Sequence, residues 1–119
     1  MATKVGGKVH PWYKGYHEWE VKGIADLKKP IEYYDPKQGN VSYDPKILQL
    51  ESKTIGKVLW FAYWIATEKT KGKMKWGQSP PIIEEDVFVD LFKDAVKQKF
   101  FTKSVLQKLQ REINTTLDK

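Results

Sequence analysis

The run at residues 55–67, IGKVLWFAYWIAT, constrains this chain more than any other segment, because only Lys57 breaks its apolar character. A helix built from it has no polar face, and such a helix is buried in protein or in lipid. Thirteen residues rise only about 20 Å as a helix, whereas a bilayer's hydrocarbon core is about 30 Å thick. Extending the segment back to Ile47 gives twenty-one residues but brings in Glu51, Lys53 and Lys57. Lys53 and Lys57 could snorkel, and Trp60 and Trp64 suit an interface. The residues alone fit a buried core helix and a marginal membrane span equally well. Pro45 is placed to open this helix, and the next proline is Pro80.

On either side the character changes, which divides the 119 residues into segments 1–46, 47–76 and 77–119. The first is punctuated by Gly6-Gly7, His10-Pro11, Lys29-Pro30, Asp35-Pro36, Gly39-Asn40 and Asp44-Pro45. Aromatics lie between these breaks with no sustained helical or strand periodicity. The expectation is an extended arm laid on a partner's surface, with His10, Pro11, Trp12, Tyr13, Tyr16 and Trp19 as its contacts. The last segment predicts two amphipathic helices. Glu84, Glu85 and Asp86 crowd a first turn after Pro80 and Pro81, and Lys93, Lys97 and Lys99 follow towards the other end. Thr102 is placed to cap a second helix, on which Leu106, Leu109, Ile113 and Leu117 fall on one face. Such a pair needs a partner, with Leu91, Phe92, Leu106, Leu109 and Ile113 facing it. The fold expected is therefore mainly α: an irregular arm, one short apolar helix and a helical hairpin, with no independent globular core.

Chemistry is harder to find. There is no Cys, which excludes disulfides, thiolate metal sites and a Cys nucleophile. His10 and His17 lack a metal-site spacing, and the acidic run at 84–94 fits a helix start and a solvated face better than a carboxylate pair. Gly6-Gly7 is no dinucleotide fingerprint, since no third glycine follows. The expectation is a protein without catalytic residues, cofactor or metal. The net charge is +6, yet among 21 basic residues only Arg111 is arginine. Base-edge readout relies on arginine forks, so the charge does not point to sequence-specific recognition. Lys69, Lys71, Lys73 and Lys75 alternate up to Trp76. With the tryptophan as a stacking platform they suit single-stranded nucleic acid; as a polybasic flank they suit an anionic membrane.

Two blocks carry a resemblance. Val9-His10, Pro11-x-Tyr13-Lys14-x-Tyr16 and the preceding glycines, then Val58-Leu59-Trp60-Phe61 followed by Trp64, resemble the beta-subcomplex subunit 2 family of accessory subunits of mitochondrial respiratory complex I. The match covers roughly a third of the chain, with residues 17–46 as an insertion and 82–119 as an extension. The resemblance implies a non-catalytic, single-pass subunit of the inner mitochondrial membrane that supports assembly of the proton-pumping arm. In that reading Val58, Leu59, Trp60, Phe61, Tyr63, Trp64 and Ile65 pack in the membrane. The partners are neighbouring subunits and membrane lipid, and a bound phospholipid is the only small molecule expected. Two rival readings stand beside it: a soluble nucleic-acid-binding protein using residues 69–76, and a dimer or scaffold joined through the hairpin at 84–117.

Overall fold

The computed structural model describes residues 4–15, 17–77 and 83–118. In chain order the elements are β1 (Lys8–Val9), β2 (Trp19–Asp26), β3 (Ile31–Asp35), β4 (Gly39–Ser52), β5 (Gly56–Ala66), β6 (Lys75–Trp76), α1 (Glu85–Lys97) and α2 (Lys103–Leu117). The strands form one antiparallel sheet in the order β1-β2-β4-β5-β6, with β3 added to β4. The sheet curls into a half-barrel, and strand outweighs helix. This overturns the mainly-α expectation.

The largest correction concerns residues 55–67. They form β5 and not a helix, and no helix among the described residues is long and apolar enough to cross a membrane. The single-pass helix is therefore not present. The physical reason lies in the residue types. Val58, Trp60, Phe61, Tyr63, Trp64 and Ile65 are β-branched or aromatic, and such side chains fit a pleated surface better than a helical turn. Val58, Trp60, Ala62 and Trp64 face the core while Leu59, Phe61, Tyr63 and Ile65 alternate with them on the other face, so a strand apolar on both faces leaves no polar face in the sequence. β5 pairs with β4 from Ser42↔Ala66 to Ser52↔Gly56. The hairpin turn is set by the Ser52 hydroxyl, which accepts from the Ile55 N–H at 2.9 Å, and by Gly56 at φ 98°. Glycine suits that left-handed position.

Pro45 opens no helix either. β3 pairs with β4 up to Tyr43, and β2 pairs with it from Lys46 onward. Pro45 lies in the gap where that edge of β4 changes neighbours, so a residue without an N–H is tolerated in a central strand.

The irregular arm likewise supplies β1, β2, β3 and the first part of β4. Trp19, Val21, Gly23 and Ala25 alternate inward along β2. A register shift between Val21 and Gly23 then turns the later residues to the opposite face of the sheet. On one face, Val9, Trp19, Val21, Leu48, Leu50, Ala62 and Trp64 form the core enclosed by the curl. On the other, Ala25 and Ile47 lie under Leu91 and Ala95 of α1.

Helix α1 is also pinned to the free edge of β2. The Gln98 side chain donates to the Ile24 carbonyl at 2.7 Å, and the Asp94 carboxylate accepts from the Asp26 N–H at 3.1 Å. These bonds occupy backbone groups that an edge strand would otherwise leave open. Gly23 makes the close fit: a Cβ built there would lie 2.5 Å from Cε1 of Phe100. The two helices occupy the stretch expected to be helical, but they do not form a packed hairpin. No Cα of α2 comes within 8 Å of one in any other helix or strand. Leu91, expected to face a partner, is 1% exposed inside this chain.

Candidate functional site: an aromatic and basic sheet edge

β6 is only two residues long, and it brings Trp76 beside Trp64 across the ladder. The Trp76 ring stacks on Trp60 at 4.9 Å with 19° between planes, and tilts against Trp64 at 3.9 Å. Trp64 is buried beneath, whereas Trp76 remains 37% exposed. The outer ring therefore rests on two inner ones, so its orientation is fixed before anything binds. Trp60, Trp64 and Val58, expected to meet lipid, instead point to the enclosed face. Leu59 and Phe61 point to the opposite face, 37% and 43% exposed, with Tyr63 and Ile65 half-buried beside them.

A groove of about 430 Å³ continues from Trp60 towards the N-terminal segment, lined among others by Pro11, Trp12, Tyr13 and Leu50. Trp12 is 77% exposed, the most open tryptophan of the chain's described residues. Lys14 sits over the Tyr13 ring at 5.4 Å, a cation–π contact that leaves a positive charge at the mouth of this groove. Trp19, expected on the arm's outer surface, is fully buried, and its indole nitrogen has no hydrogen-bond partner among the described residues. His10 lies exposed beside Val9, and Tyr16 falls outside the described residues.

Lys69, Lys71 and Lys73 lie on the turn between β5 and β6, and Lys75 opens β6. Thr67 and Thr70 tie that turn together: the Thr70 hydroxyl both accepts from the Thr67 N–H and donates to the Thr67 carbonyl, each at 3.0 Å. Lys71 and Gly72 take left-handed conformations at φ 55° and 79°. Glu68 anchors the turn to the β3–β4 hairpin by accepting from the Asn40 N–H at 2.9 Å, its carboxylate filling the space above Gly39. That leaves Lys69, Lys71, Lys73 and Lys75 exposed and in no ion pair among the described residues. The contrast with Lys8, Lys22 and Lys46 is sharp, since each of those meets two carboxylates. Lys22 holds the Glu20 carboxyl below its ordinary range, first by a hydrogen bond and then by charge.

At the same end of the sheet, Tyr33 and Tyr34 stand out from the β3–β4 hairpin, 47% and 68% exposed. Sequence reading counts these two tyrosines among the arm's aromatics but does not single them out as contacts. The cue available was a Tyr-Tyr pair just before an Asp-Pro turn, in which Asp35 accepts from the Lys37 and Gln38 amides. Among the described residues no group of three or more His, Cys, Asp or Glu side chains could hold a metal ion. No protein-family model, curated protein or solved structure matches the chain.

Proposed function

We propose that the protein binds single-stranded nucleic acid without strong sequence preference, along the edge formed by β5, β6 and the lysine turn. The observation that supports this most directly is the exposed Trp76 ring, held by Trp60 and Trp64 and preceded by four lysines that make no ion pair among the described residues. A base stacks on a fixed indole at about 1–3 kcal/mol, whatever its identity. Lysines act on the phosphates as point charges. Trp12 and Tyr13 extend the stacking surface across the groove that begins at Trp60. The lone arginine, Arg111, lies on α2, so arginine forks have no part in this edge. The accessory-subunit reading needed residues 58–65 as a membrane helix, and that segment is a strand.

The test is fluorescence anisotropy with a labelled oligothymidylate and an oligouridylate, titrated from low to moderate salt. Four lysine–phosphate contacts give a log–log salt slope near −3, at about −0.7 per contact on single strands. Replacing Lys69, Lys71, Lys73 and Lys75 by Gln flattens that slope. Trp12→Ala weakens binding about five- to a hundredfold while leaving the fold intact, because that ring is mostly in solvent. Absence of binding at low salt sinks the proposal, as does an equal preference for duplex.

A further inference from the structure

Helix α2 is amphipathic, yet none of its residues is buried. Val105, Leu109, Ile113 and Leu117 are 42%, 38%, 55% and 75% exposed along one stripe. An isolated helix of this length is marginal in water, so the stripe needs a surface to cover it. A groove of about 380 Å³ runs beside it, lined by Phe92 of α1 together with Leu106, Leu109 and Ile113.

The charges on α2 say what that surface is. Its first turn begins at Lys103 with no acidic residue, and it ends at Asp118 with no basic residue in the last turn. Both ends oppose the helix's own dipole, which favours anions at the N-terminus and cations at the C-terminus. Between them, Lys108 belongs to the first half and Arg111 and Glu112 to the second. A second α2 lying antiparallel answers the mismatch at both ends. Its Asp118 reaches the first helix's N-terminus and Lys103, and the same contact recurs at the other end by symmetry. The apolar spacing Leu106, Leu109, Ile113 is the three-then-four pattern of a two-helix seam. A two-fold contact of this kind is self-complementary and needs nothing beyond this sequence.

We infer that the protein is a homodimer joined through antiparallel α2 helices, each seated in the groove between α2 and Phe92 of the other copy. The inference is independent of the nucleic-acid proposal. Sedimentation equilibrium of the full chain at micromolar concentration tests it, with an expected mass of twice 13.9 kDa. Leu109→Glu combined with Ile113→Glu gives a monomer whose tryptophan emission is unchanged, because the stripe touches no strand. Lys103→Glu is the sharper variant. It suits the helix's own dipole, so an isolated α2 would gain from it, whereas the antiparallel dimer brings it against Asp118 and weakens several-fold. Adding Asp118→Lys to the same chain restores the affinity. A wild-type monomer overturns the inference. So does a dimer that survives the double glutamate change, or one indifferent to Lys103→Glu.

Discussion

Gly23→Ala probes how tightly the helical end of the chain is pressed on the sheet. The added methyl would meet two ring atoms of Phe100, at 2.5 and 2.9 Å. Ordinary contact begins about 1 Å further out, so the ring must give way. Its freedom to do so is limited, because the Phe100 N–H is bonded to the Ala95 carbonyl at 3.0 Å and Gln98 is tied to the β2 backbone. Overpacking of this kind costs about 1–3 kcal/mol. Replacing glycine recovers about 0.4–1 kcal/mol from the unfolded chain. The net expectation is a loss of about 1–2 kcal/mol, read as a lower urea midpoint by tryptophan fluorescence. Phe100→Leu in the same chain should recover most of the loss, so the two changes are not additive. A neutral or stabilising Gly23→Ala would refute the argument, showing that the segment after α1 does not bear on β2.

Other positions separate the remaining interactions. Leu91→Ala removes the fully buried leucine between Ala25, Ile47 and Ala95, and should cost about 2–5 kcal/mol in the same urea assay. Glu68→Ala frees the lysine turn from Asn40; it should raise hydrogen exchange at the Asn40 amide while the β2–β4–β5 amides stay protected. Because Glu20 is held below the ordinary carboxylate range, its contribution is present above that range and lost as pH falls through the folded value. Lys22→Met should therefore flatten the acid limb of the urea midpoint between about pH 5 and pH 3.

The C-terminal third was legible because helix signals are local. The acidic first turn of α1, the Thr102 cap bonded to the Val105 amide and the apolar stripe of α2 all lie within a few residues of one another. The lysines and Trp76 stand out in the sequence for the same reason, since all lie between positions 69 and 76. The sheet was not legible, because its determinants are far apart or ambiguous. Residues 55–67 are apolar on every side, a pattern that a two-faced strand shares with a buried helix. In β2 the shift after Val21 hides the alternation, and the small residues Gly23 and Ala25 carry no apolar signal although the helix and Phe100 rest on them. The stacking of Trp76 on Trp60 depends on the β5–β6 register, which no local pattern encodes. Proline misled in the same way, since the gap that admits Pro45 exists only after β2 and β3 have both found β4.

The β4–β5 turn has a consequence for the order in which the chain matures. Three residues close that hairpin, whereas the Asp26–Asp94 bond that seats α1 joins positions 68 apart. Loop-closure entropy separates the two events by about 3 kcal/mol. During synthesis the hairpin is also complete before α1 exists, so a preformed curved surface waits for its helix. The apolar stripe of α2 emerges after the sheet and α1, with no Cα of α2 within 8 Å of another helix or strand. Newly made chains therefore expose the α2 stripe only after the strands of their own sheet have been made.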